Sequence, residues 1–348
     1  MKRSKLYIII CGTSALLVIV FVCIATLYLR TTEQRKQGLK IIDEVLDCQR
    51  IKHQRIELAR ARLPHDSALA GDWNLEKAIS VWQRNEIETL AQLAKQFSQE
   101  QKDMSADDKK KLTQFTMNSP ELEELLEAIE FGLCEIVLDP TKGQWQISNA
   151  QIKALSSMTY ILTARAILQA EKGDNHGALK TILNSYALMD VLLDVPNVKL
   201  QSYRSGMLMY IEYAIRRGVR PGEIPDDSKI VLLKHLERQS SKEPIVNALK
   251  LHEALVLQDV YAKHSTFMGS WLLAGYHRGM ERLSQSLDKP KHDISKEWNK
   301  IIDSAPFYAE QTRWRLQNVA PDVLQARVNT QQHVKSVSDF LGLQSAGR

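Results

Sequence analysis

Residues able to do chemistry are present in this chain, but their spacing does not match the reactions they would serve. His252-Glu253 opens as a zinc-protease helix does, where two histidines one turn apart grip the metal and the glutamate activates water. Val256 stands where the second histidine is required, so that motif is absent. His252, His264 and His277 follow one another at intervals of 12 and 13, too far apart for a local chelate. A serine nucleophile would sit in a Gly-x-Ser-x-Gly turn, which the sequence lacks, and Cys134 reads as a packing residue of an amphipathic helix. No glycine-rich phosphate loop or dinucleotide fingerprint occurs. The carboxylate pairs Asp107-Asp108 and Asp226-Asp227 stand in turn contexts and read as helix caps rather than as an acid and its base. No metal and no cofactor are expected. The chain reads as a non-enzyme; a helical, hydrolase-like enzyme with site residues far apart in sequence is the alternative.

One helix carries a second kind of chemistry. Tyr203, Tyr210 and Tyr213 stand beside Arg204, Arg216 and Arg217, and of these Tyr203, Tyr210 and Arg204 form a candidate interaction groove. The competing and stronger account is that Tyr203 and Tyr210, at i and i+7, pack in the core. Aromatic and basic residues do not interleave elsewhere, and 46 basic against 41 acidic residues leave a net charge of only +5, so nucleic acid is not an expected partner.

The elements that must position such residues are helical. Gly (15) and Pro (10) are sparse for 348 residues, and strand-like alternation is hard to find. At the N-terminus, LYIIICGTSALLVIVFVCIATLYL runs through 6–29 without a charge. At about 1.5 Å per residue a helix of that length spans a hydrocarbon core, and in lipid only a helix satisfies its backbone groups within one segment. A cleaved signal has an apolar region of only about 7–15 residues and a small-x-small site, and neither fits here. Tyr7 and Tyr28 lie near the two ends, where amphipathic rings favour the headgroup layer. Lys2, Arg3 and Lys5 precede the run, and Arg30, Arg35, Lys36 and Lys40 follow it. So short a basic tail favours a cytoplasmic N-terminus, with the bulk of the chain extracytoplasmic, in a bacterium periplasmic. Past the span, 30–62 is locally basic, as a solvated helix face or a contact with anionic headgroups. Of four cysteines only Cys48 and Cys134 lie outside the span, either as free thiols or as a pair in an oxidising compartment.

Caps and apolar periodicity predict the remaining helices. Leu39, Ile42 and Leu46 start a stalk that Pro64 interrupts, and Leu75, Ile79, Trp82, Leu90, Leu93 and Phe97 share one face of the next helix. The polar stretch 98–111 reads as an exposed connection, with room for a short helix from Ser105. Ser119-Pro120-Glu121 starts a helix whose stripe runs through Leu133 to Ile136, and Asp139 to Gly143 reads as a turn. Ser148 and Gln151 match a capping box, Gly173-Asp174-Asn175 stops one helix and starts another, and Asn197 caps a third that ends at Gly218. The Gly-, Pro- and charge-rich segment 217–227 is the clearest linker. Beyond it Ile230, Leu233 and Leu236 mark a short helix, and Ile245 to Val260 a longer one. The pattern weakens over 271–287, resumes at Ile294, Trp298 and Ile301, and is interrupted again at Pro321 in the tail.

Within this series Leu162, Ala166, Gly173, Asp174 and Ala178 stand at the spacing of a tetratricopeptide repeat, and the hairpin 159–192 resembles one. Arg165, Gln169 and Asp190 depart from the repeat's pattern, and no second copy appears at a period near 34 residues. The resemblance implies a helical scaffold that binds a partner protein in a groove. The expected architecture is therefore all-α: a cytoplasmic tail (1–5), a transmembrane helix (6–29), a juxtamembrane helix (30–63), stacked antiparallel hairpins of repeat or solenoid type (64–218) and a C-terminal helical region (219–348). The expected role is a membrane-anchored scaffold or interaction protein, with the bilayer as one partner and another protein as the second.

Overall fold

The computed structural model describes residues 2–64, 67, 69, 73–99, 104–136, 148–263, 275–288, 297, 300–303 and 310–343, with the side chains of 2–17, 27, 30, 31, 261, 310 and 311 excepted. The fold is all-helical, with no strand among the described residues. The helices are α1 (Lys2–Arg60), α2 (Leu75–Trp82), α3 (Asn85–Gln99), α4 (Ala106–Asn118), α5 (Pro120–Glu130), α6 (Asn149–Glu171), α7 (Asn175–Leu193), α8 (Val198–Gly218), α9 (Asp226–Ser240), α10 (Glu243–Lys263), α11 (Tyr276–Ser286) and α12 (Glu310–Leu341). Among the described residues no helix is long and apolar enough to cross a membrane. The span read at 6–29 lies within α1, but the side chains of 6–17 fall outside the described residues. The turn read at 139–143 and the residues Ile294 and Trp298 fall outside them as well.

The chain divides into two compact units, Met1–Val45 with Leu249–Ala320, and Leu46–Ala248 with Pro321–Arg348. In the first, α1 and α10 approach closely at small residues. A Cβ added at Gly38 would meet the Ala254 backbone at 3.6 Å. Tyr276, Met280 and Leu283 of α11 are buried in the same unit as Leu316 of α12, and a Cβ at Gly279 would stand 2.6 Å from the Leu316 side chain.

The second unit holds one large core, with α6 at its centre. Fifteen of the 23 residues of α6 are buried, and it packs on α2, α3, α4, α7 and α8 at once. A linear stack of repeats gives each helix only its immediate neighbours. Burial all round requires the polar residues of α6 to satisfy themselves: Ser156 donates to Ile152 O at 2.9 Å, Thr159 to Leu155 O at 2.9 Å and Thr163 to Thr159 O at 2.8 Å. Its small residues admit α8 closely, since a Cβ at Gly218 would lie 3.4 Å from Ala166 O and 3.5 Å from Ala170 Cβ.

Local signals set most helix ends. Ser148 and Gln151 form the reciprocal capping box, with backbone and side-chain bonds of 3.1 and 2.8 Å. α6 closes in a Schellman turn: Gly173 is left-handed at φ 83°, Gly173 N–H donates to Ala170 O and Asp174 N–H to Gln169 O, both at 2.9 Å. Asp174 then caps α7, and Asn197 caps α8.

Four sequence expectations change. The single helix expected over 75–97 is two, because the buried positions step from Trp82 to Ile87, a gap of five that one helix cannot keep on one face. The stretch 98–111 contains the start of a full helix, α4, with Ser105 as N-cap beside Asp108. α5 stops at Glu130 before the left-handed Gly132, so Cys134 is buried in the segment after the helix rather than in it. Pro321 does not interrupt α12; the buried Ala320, Val323 and Leu324 hold the helix on both sides of it.

Candidate functional site

Two features of the second unit concentrate polar chemistry. The first is a buried polar centre between α7, α8, α9 and α12. α9 places His235, Arg238 and Gln239 at i, i+3 and i+4, hence on one face, opposite the buried Asp190 of α7. Asp190 Oδ2 accepts from His235 Nδ1 and Arg238 Nη1, each at 2.8 Å, and Oδ1 accepts from Gln239 Nε2 at 2.6 Å. Gln239 Oε1 accepts in turn from Arg204 Nη1. Arg204 Nε donates to Gln201 Oε1 at 2.8 Å, and Gln201 Nε2 closes the chain on Leu192 O and Val195 O at 2.7 and 2.9 Å. Arg204 is 0% exposed, and burial lowers its guanidinium to about 10.

A second strand of the same centre runs through Tyr186. Its ring stacks on His235 with centroids 5.7 Å apart, and its hydroxyl pairs with His333 Nε2 at 2.8 Å. His333 Nδ1 faces Glu212 Oε2 at 3.7 Å, longer than a hydrogen bond. Burial lowers the His333 imidazole, against the pull of Glu212. Burial by itself would raise Glu212, but His333, Ser336 and Arg216 outweigh it and hold the carboxyl at about 2.

Among the described residues the Asp190–His235 pair has no hydroxyl or thiol bonded to its imidazole, and the one hydroxyl that meets the other imidazole, Tyr186 at His333, is buried with it. The Asp190 carboxylate is occupied by three donors, and Tyr186, Arg204 and His333 are sealed from solvent. Such a network ties α7, α8, α9 and α12 together; it does not present a reacting atom to a substrate. The cluster was not legible, because the side chains that bond one another across helices lie 35 to 147 residues apart in sequence.

The second feature is open. A hollow of about 390 Å³ is lined by Gln99 of α3, Ser156 and Tyr160 of α6, and Ser202, Tyr203, Gly206, Met207, Met209 and Tyr210 of α8. The Tyr160 and Tyr210 rings lie 4.5 Å apart, Tyr213 meets Tyr210 edge-on at 6.1 Å, and Lys95 Nζ sits 5.7 Å over the Tyr160 ring. Gln99 Nε2 donates to the Tyr210 hydroxyl at 2.7 Å. Burial raises both the Tyr160 and Tyr210 hydroxyls, so they remain neutral donors at neutral pH. Of the three residues read as a groove, the structure brings Tyr203 and Tyr210 to one hollow and places Arg204 in the interior, away from it. Tyr160 and Gln99, which complete the hollow, come from other helices and carry no signal in the α8 sequence.

Elsewhere, Lys52, read as one of the solvated or lipid-facing bases of 30–62, is buried, and its ammonium donates to Asp194 O at 3.1 Å. Burial lowers Lys52 and raises the nearby Glu135. Cys48, one turn before Lys52, is exposed and free, as is Cys23, and Cys134 is buried and free. In the first unit His277 Nδ1 pairs with Glu253 Oε1 at 2.6 Å, and burial lowers His252 to about 4. His264 falls outside the described residues. Among the described residues no group of three or more His, Cys, Asp or Glu is placed to hold a metal ion.

Comparison of the chain with protein-family models, with curated proteins and with solved structures finds no match.

Proposed function

We propose that this chain is a membrane-tethered helical interaction protein: the bilayer holds α1 through 6–29, and the helical mass beyond it docks another protein. The observation that carries the tether is the outer face of α1. Val18, Ile19, Val20, Phe21 and Val22 are 47–72% exposed, and Ile24 follows at 48%. Five consecutive positions at 100° each cover the whole circumference of a helix, so a single packing partner on one side cannot bury them. Each such side chain gains about 1.5–3 kcal/mol when removed from water, and hydrocarbon surrounds a helix on every side. In this reading Lys2, Arg3 and Lys5, ahead of the apolar run, lie on the cytoplasmic side and the bulk of the chain is extracytoplasmic, periplasmic in a bacterium.

The docking half of the proposal rests on where polar chemistry is open and where it is closed. The Asp190, Arg204 and His333 side chains of the polar centre are buried and held within its network, whereas the hollow at Tyr160 and Tyr210 offers aromatic faces and neutral donors, a surface that binds partners rather than transforms them. The test is capture from native membranes. With a photo-crosslinking residue in place of Tyr203, the gently solubilised full-length chain is expected to trap a reproducible protein partner. Recovery of no partner, together with substrate turnover that His235→Ala abolishes, would replace this proposal with the enzyme reading.

A further inference from the structure

A second open surface lies between α3, α4 and α5, a hollow of about 660 Å³. α3 turns Ile87, Ala91, Ala94 and Phe97 into the core, and Leu90, packed against the edge of that core, and Leu93 form an additional apolar row at i and i+3. Both line the hollow and are half-buried, and Phe115 of α4 and Pro120 of α5 complete its apolar floor. Around that floor stand three carboxylates, Glu86, Asp108 and Glu121, against one ammonium, Lys111. Two of the three are held in place: the Ser105 hydroxyl bonds Asp108 Oδ2 at 2.7 Å and the Ser119 hydroxyl bonds Glu121 Oε2 at 2.8 Å. Both stand in the first turn of a helix, where the backbone amides favour negative charge.

An apolar row between two helices, with fixed charges on its rim, is a surface on which a third helix rests its own apolar ridge. The net rim charge selects the flanks of that helix. We infer that the hollow receives one amphipathic helix of a partner protein, bearing Lys or Arg on either side of its apolar stripe. This deepens the interaction reading and rests on it: the anionic rim steers and orients the incoming helix, and Leu90, Leu93 and Phe115 supply the contact it buries. Because the Asp108 and Glu121 carboxylates are already positioned by their cap serines, little side-chain entropy is lost when the basic flanks arrive.

The test uses the full-length chain in detergent and two synthetic helical peptides with the same Leu stripe at i, i+4 and i+7, one flanked by Lys and one by Glu. Fluorescence anisotropy is expected to show binding of the Lys peptide, weakened by added salt, and binding of the Glu peptide at least about tenfold weaker. Glu86→Lys is expected to lower affinity for the Lys peptide about tenfold and Leu93→Asp to abolish it, with Ile230→Ala, an exposed position of α9 that lines neither hollow, leaving it unchanged. Circular dichroism confirms that each variant is folded; if Leu93→Asp is not, Glu86→Lys and the peptide pair decide. Equal binding of the two peptides, no binding of either, or indifference to Glu86→Lys overturns the inference, as does a self-associated chain that Leu93→Asp converts to monomer. If these results fail while Tyr203 crosslinking still traps a partner, only this docking surface is lost; if both fail, the interaction reading falls with it.

Discussion

Replacing Asp190 with alanine removes the acceptor on which the buried polar centre converges, and its cost can be assembled from the geometry. Gln239 Nε2, in a residue that is fully buried, loses its 2.6 Å partner, and an orphaned buried donor costs about 1–3 kcal/mol. Arg204, bonded to the same Gln239, loses the negative charge that faces it, and stripping the counter-charge from a buried ion is the large penalty among such changes, about 3–5 kcal/mol when contact is direct. Here the contact runs through Gln239, so a smaller share applies. Arg238 is half-exposed and turns to water at little cost. The sum is about 3–4 kcal/mol. For a unit of this size each kcal/mol moves the midpoint by about 2–4 °C, which gives a fall near 10 °C in Tm. Asp190→Asn keeps an oxygen for Gln239 and is expected to lose about half as much. Differential scanning fluorimetry of the full chain in detergent reads both. An alanine variant within about 1 kcal/mol of the parent, or an asparagine variant as damaged as alanine, would refute the reasoning that the Gln239–Asp190 bond holds the centre.

Acidification reports the buried histidines. An imidazole lowered by burial stays neutral in the fold, so stability is complete above the unfolded value near 6.5 and declines as pH falls below it; the double variant His252→Gln/His333→Gln is expected to flatten that limb in pH-dependent unfolding. Glu212, held at about 2, adds a second decline as pH falls from about 4.3 toward 2, which Glu212→Gln removes. Gly173→Ala forces a Cβ into a left-handed turn and is expected to cost about 1–2 kcal/mol by urea unfolding; a neutral result would contradict the Schellman closure of α6. An impermeant maleimide added to intact cells is expected to label the exposed Cys48 and spare the buried Cys134; labelling of Cys48 only after lysis would reverse the proposed orientation.

What was legible in the sequence is what acts over a few residues. The Ser148–Gln151 box, Ser119-Pro120, Asp174 after Gly173, and Asn197 each satisfy a helix end within three or four positions, and each was readable as such. The break between Trp82 and Ile87 was missed because both halves keep a helical period and only its phase changes. Pro321 was misread because a helix anchored by buried residues on both sides tolerates the loss of one bond. The interior places of Arg204, Asp190, Gln239 and Lys52 run against the ordinary assignment of charged and amide side chains to the surface, and their partners are remote in sequence. Tyr203 and Tyr210 were readable as one face of α8, but the residues that turn this face into a hollow, Tyr160 and Gln99, come from α6 and α3.

The central claim is that lipid surrounds the apolar beginning of α1. Alkaline carbonate extraction of native membranes measures it directly, with the parent chain set beside a triple variant, Val18→Lys/Phe21→Lys/Ile24→Lys. The expected result is that the parent stays with the membrane pellet and the variant is recovered, folded, in the supernatant. A parent chain that washes into the supernatant, or a variant that stays in the pellet as tightly as the parent, would contradict it.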